Sequence, residues 1–94
     1  MQQITQDYIN DLKAALERIA PGPWVSHVEG RDHTSGSSFI ETGGNGGRGE
    51  DIELTGASSD DQDFIARARQ DIPMLLAEVE RLRDLLRSVQ TAAE

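Results

Sequence analysis

Ninety-four residues, 36% hydrophobic and 4% aromatic, suffice for one domain with a thin core and not for two, so the whole chain 1–94 is read as a single unit. The absence of cysteine excludes a disulfide scaffold and thiolate metal sites, and fits a reducing compartment. Seventeen acidic residues against nine basic ones give a net charge of -8, which opposes binding to the phosphate backbone of long DNA or RNA; a small anion needs only local donors and one or two arginines.

The chain opens without the basic and apolar regions of a secretion signal and contains no long apolar run, so a cytoplasmic protein with no membrane partner is expected. Apolar residues at Tyr8, Ile9, Leu12, Ala15, Leu16 and Ile19 follow the spacing of one helix face. With Thr5 as N-cap and Asp7 in the first turn, the helix is predicted from about Gln6 to Ala20, where Pro21-Gly22-Pro23 stops it.

Three short strands are predicted next, over Trp24–Val28, Ser38–Thr42 and Asp51–Thr55, making a small antiparallel sheet that must lie on the helices to be stable. Ser59 and Gln62 have the spacing of a capping box, and Asp60, Asp61 and Asp63 load the first turn of a second helix. Pro73 predicts a break or kink near Asp71, with Asp71 capping a further helix over about Ile72–Ala92. There Leu75, Val79, Leu82, Leu86 and Val89 alternate spacings of four and three, the heptad seam of a coiled coil, and Leu76 and Leu85 widen the stripe. Glu78 with Arg81, Glu80 with Arg83 and Asp84 with Arg87 are helical ion pairs. The predicted class is therefore α+β: an N-terminal helix, a small antiparallel sheet, and a long C-terminal helix, kinked or broken near Pro73, that associates with copies of itself.

The run Gly43–Gly49, GGNGGRG, has the freedom of a loop whose backbone N–H groups cradle an anion, with Asn45 and Gly46 at its centre. It matches neither phosphate-loop pattern and precedes a strand, so a plain hairpin connection is the favoured reading and a ligand-contacting loop the alternative. Arginine, never lysine, supplies the base in the last third, and its planar fork suits a phosphate; Arg67, Arg69 and Arg83 are candidates, set against salt-bridged solvent positions. Trp24, the single tryptophan, either closes the first helix onto the sheet or stacks on a ligand ring. His27 and His33 lack zinc spacing, no serine sits in a nucleophile motif, and no catalytic constellation stands out, so neither an enzyme nor a bound cofactor is expected.

Two stretches, APGPW at Ala20–Trp24 and DFIARARQDIPMLLAEVERLR at Asp63–Arg83, resemble a group of small phage and prophage proteins, some known as Ead-like early proteins. These join a TPGPW element to an FIAxARxDIPxLLxEVERLR helix through a variable β region. The present chain departs at Ala20, where threonine is usual, and its glycine-rich middle has no counterpart. The layout is also similar to the anti-Thoeris sponges of phages, small oligomers that sequester cyclic ADP-ribose signals or cyclic oligonucleotides. The resemblance implies a phage-encoded, non-catalytic homo-oligomer that holds a small anionic nucleotide and so disarms host anti-phage signalling. Arg69, Arg67, Trp24, Asn45, Gly46 and Arg83 are the residues expected to hold it. The alternative is an interaction module that binds a host or phage protein through the C-terminal helix.

Overall fold

The computed structural model describes residues 3–43 and 47–93. Its elements are α1 (Gln6–Glu17), β1 (Val25–His27), β2 (Ser38–Glu41), β3 (Ile52–Leu54) and α2 (Ser59–Ala93), the predicted α+β layout. The strands form an antiparallel meander in the order β1-β2-β3.

The Thr5 hydroxyl accepts the Tyr8 N–H at 3.1 Å and so caps α1, with Asp7 in the first turn. The helix ends three residues earlier than expected. Arg18 donates its N–H to the Ala15 carbonyl at 3.1 Å, a tightened last turn, and Ile19 and Ala20 leave the helix. Pro21 accounts for the shortfall, since it disfavours helical backbone in the residue before it.

In the sheet, Ser26, Ile40 and Ile52 are register partners and share one face, on which Ile40 is fully buried. Ile40 is sealed from solvent while Phe39 and Glu41 on the opposite side are only half-buried, so this is the face that the helix covers. Val25, His27, Phe39, Glu41 and Glu53 alternate onto the other face. Gln62, expected to close a capping box, is instead 1% exposed and donates from Nε2 to the carbonyls of His27 at 3.1 Å and Phe39 at 3.0 Å. The box forms one residue earlier: the Ser58 hydroxyl accepts the Asp61 N–H at 3.0 Å, and the Asp61 carboxylate accepts the Ser58 N–H at 3.4 Å. That shift by one residue turns Gln62 towards the sheet.

The expected break at Pro73 does not occur, because α2 is one helix of 35 residues. Proline removes one hydrogen bond, to the Arg69 carbonyl, but both sides of the gap are held. Arg69 and Gln70 are tied to the segment before β1, while α1 packs beside Pro73 through Leu16 and Glu17. Asp71 caps no new helix; it accepts the Arg67 guanidinium one turn earlier at 2.5 Å. Glu80 reaches Lys13 of α1 at 3.3 Å rather than Arg83, whereas the Glu78–Arg81 and Asp84–Arg87 pairs form as expected.

A helix of this length spans about 52 Å, and the molecule measures 63 × 32 × 19 Å. Its radius of gyration is 17.8 Å, against about 12 Å for a compact chain of this size. The C-terminal half of α2 therefore extends past the body. Leu82, Leu85, Leu86 and Val89 are each about half exposed there.

Between β1 and β2 the chain folds back on Val28, whose N–H is accepted by the Asp32 carboxylate at 2.7 Å. Arg31 contacts Asp32 at 2.9 Å and Asp63 of α2 at 2.7 Å, joining this turn to the long helix. Arg31, and then the Val28 N–H, hold the Asp32 carboxyl at about 2, below its ordinary 3.8, and Arg31 also lowers Asp63. A depressed carboxylate stabilises the fold above its unfolded value, and that contribution is lost as pH falls through the folded one. Stability should accordingly drop between pH 4 and pH 2, and Arg31→Ala should flatten this limb when denaturation midpoints are measured across the range. An unchanged slope in the variant would remove Arg31 as its source.

Candidate functional site

The Ala20–Trp24 segment makes its closest contacts with α2. The Ala20 carbonyl accepts both the Trp24 indole N–H at 3.1 Å and Arg69 Nε at 3.0 Å. Gln70 pairs with the Trp24 backbone as a neighbouring strand would, accepting its N–H at 2.8 Å and donating to its carbonyl at 3.3 Å. Gly22, which precedes a cis peptide bond to Pro23, lies against these two side chains. A Cβ there would stand 3.3 Å from Gln70 Oε1 and 3.5 Å from Arg69 Cγ, so a larger residue would press on the contact. The Ala20–Trp24 segment and the Arg69–Gln70 turn of α2 are thus the two halves of one packing contact.

This geometry separates the residues expected to bind a ligand. Arg69 spends Nε on Ala20, and its other fork nitrogens meet no acceptor among the described residues. Arg67 lies 76% exposed on another side of the helix, paired with Asp71. Arg83 stands about 21 Å further along the helix axis and donates to the Ile4 carbonyl. Trp24 is half-buried, beside Ile19, Thr42, Ile52 and the acidic Glu50 and Asp51, which repel an anion. Asn45 and Gly46 lie outside the described residues.

The described ends of the glycine run are spent on each other. Gly49 donates to the Thr42 carbonyl at 2.8 Å, and the Thr42 hydroxyl donates to the Glu50 carbonyl at 2.7 Å. Gly43 has φ 109° and would place a Cβ only 2.2 Å from Gly49 N, so both its conformation and its surroundings require glycine. Its N–H is given to Pro21 at 3.1 Å. These donors close a hairpin and do not face an anion.

On the uncovered face of the sheet, His27 stacks on Phe39 with ring centroids 4.8 Å apart, and His33 sits 5.2 Å from the same ring. Arg48 lies over Phe39 at 5.7 Å and bonds Asp51, while His27 meets Glu41 at 3.0 Å. Ser35 Oγ is 2.7 Å from His33 Nδ1 and Glu29 is 3.4 Å from it. A proton relay needs the hydroxyl and the carboxylate on opposite ring nitrogens, and here both meet the same one. No group of three such side chains suited to a metal occurs among the described residues.

One open feature of the described residues is apolar. Ile4, Tyr8, Ile9 and Leu12 from the N-terminal segment and Ile72, Leu75, Leu76 and Val79 from α2 line a groove. Its rim is open, with Tyr8 57% and Leu75 64% exposed. Leu82, Leu86 and Val89 continue it along α2, with a hollow beside them lined by Gln6, Arg83, Leu86 and Arg87. The apolar stripe on α2 was legible from its spacing, but the contribution of Ile4 and Tyr8 to the groove was not. Tyr8 already belonged to the apolar face of α1; what its spacing lacked was any sign that this face is wider than α2 covers.

Comparison of the chain with protein-family models, curated proteins and solved structures returns no match.

Arg69→Lys keeps the charge but cannot reproduce the Nε contact, and should lower stability by about 1 kcal/mol. Gln70→Leu leaves both Trp24 backbone groups unpaired and should cost roughly 1–3 kcal/mol. Urea denaturation followed by the fluorescence of Trp24 measures both. Parental stability in the two variants would mean that water serves these groups equally well.

Proposed function

We propose that this chain is a non-catalytic binding protein whose working form is assembled from copies of itself through the apolar face of α1 and α2. The carrying observation is the continuous exposure of Tyr8, Leu75, Leu82, Leu86 and Val89 on one side of the molecule. Contiguous apolar surface of this kind is unusual on a protein that acts alone and marks a binding surface. In Leu75 and Leu82 it is made of large aliphatic side chains at heptad spacing, which a second helix fills best. None of the polar clusters described above places an acid, a base and a nucleophile in series, which favours binding over catalysis.

The Leu82→Glu, Leu86→Glu double variant tests the assembly. Both residues are about half exposed in the single chain, so charge there disrupts association and leaves the body folded. Sedimentation should show a smaller species than the parent, with the far-ultraviolet spectrum of the body retained. A parent that sediments as a monomer at high concentration would overturn the proposal.

A specific observation supports sequestration of a small anionic nucleotide as the purpose of the assembly. Arg83 and Arg87 flank Leu86 in the hollow beside the seam, so association would enclose guanidinium groups next to apolar surface. This is the environment a nucleotide's phosphate and base require, and it agrees with the phage sponges that the layout resembles. Sequestration acts by mass action and needs no reacting group. Heating the purified protein should release a nucleotide unaltered, and Arg83→Lys with Arg87→Lys should weaken its rebinding by roughly 1–3 kcal/mol in titration calorimetry. An empty protein that takes up no added cyclic nucleotide would leave the assembly without this purpose.

A further inference from the structure

We infer that two copies pair along α2 as a parallel two-stranded coiled coil, with Glu78 of each copy meeting the partner subunit's Arg83. This rests on the self-association proposed above and adds the direction and register of the pairing. From Ile72 onward the core positions of the heptad are filled by Ile72, Val79 and Leu86 at one and Leu75, Leu82 and Val89 at the other. β-Branched residues at the first with leucine at the second, as in the two leading heptads, favour two parallel strands. α1 leaves room for a partner: it covers Leu76 on one flank, while Leu75 stays 64% exposed.

The flanking charges select the direction. On one flank stand Leu76, Arg83 and Gln90, and on the other Glu78, Leu85 and Ala92. Each flank therefore carries a single charge, of opposite sign. A parallel pair sets each flank against the opposite flank of its partner, displaced by five residues, which is the separation of Glu78 from Arg83. An antiparallel pair sets like flank against like flank, so Glu78 and Arg83 never meet. Among the described residues of the single chain Glu78 pairs with Arg81, in an exposed pair, and Arg83 with the Ile4 carbonyl, which occupies part of its fork.

Because the chain has no cysteine, single substitutions report orientation directly. Leu75→Cys and Leu86→Cys, each oxidised alone in a glutathione buffer, should form disulfide-linked dimers, and a mixture of the two should give mainly like-with-like products. Antiparallel pairing reverses this result: neither variant links to itself, and the mixture yields the mixed dimer. Glu78→Arg and Arg83→Glu should each weaken the dimer several-fold by sedimentation equilibrium, and the chain carrying both exchanges should recover most of that loss. A mixed-only disulfide, a trimer, or no recovery in the double exchange overturns the parallel pair while leaving self-association standing. A monomeric parent overturns both.

Discussion

The body depends on side chains of one helix satisfying backbone groups that a larger sheet would have paired with further strands. Gln62 serves the carbonyls of His27 and Phe39, Gln70 serves both backbone groups of Trp24, and Arg69 serves Ala20. A core whose buried apolar members are Ile9, Val28, Ile40, Ala66 and Leu76 contributes little area, so leaving these groups unpaired would consume much of the stability. Long polar side chains at buried and half-buried positions are here the means of attachment. The same need explains why α2 starts where it does, since only a helix entered from Ser58 aims Gln62 at the strands.

What could be read from the sequence follows from which signals are local. The cap at Thr5, the three strands and the apolar stripe through Leu75, Leu82, Leu86 and Val89 are properties of neighbouring residues, and each appears where its spacing puts it. The displaced capping box and the passage through Pro73 are not set by spacing alone. The first is decided by a competing cap one position away, the second by contacts more than forty residues distant. The arginines show the limit clearly. Arg67 and Arg69 look unpartnered in the sequence, yet Arg67 finds Asp71 one turn on, and Arg69 finds a carbonyl on a distant segment that no pattern announces.

Electrostatics divides the molecule in a similar way. The net charge of -8 does not spread evenly in its effect, because several acids are engaged close by: Asp32 and Asp63 by Arg31, Asp51 by Arg48, Asp71 by Arg67. These exposed pairs contribute little energy apiece. Their larger effect is positional, since Arg31 joins the β1–β2 turn to α2 and Arg48 brackets Phe39 between a cation and the histidine stack. The sheet face opposite α2 is thereby covered by polar groups, and the apolar surface left open lies on the helices.

The unequal anchoring of α2 means that one continuous helix behaves as two thermodynamic segments. Up to about Arg83 it is buttressed by the sheet, the Ala20–Trp24 segment and α1; past that point Leu85, Leu86 and Val89 are each more than half exposed, with Gln6 of α1 beside Leu86 and Arg87. An isolated stretch of some ten residues is marginal as a helix in water. In the proposed assembly a partner copy would supply its order, and the helical content of the tail would be tied to occupancy. At low concentration backbone amide protection should fade along the last three turns while the body remains closed, which makes this tail the part of the molecule where folding and binding are the same event.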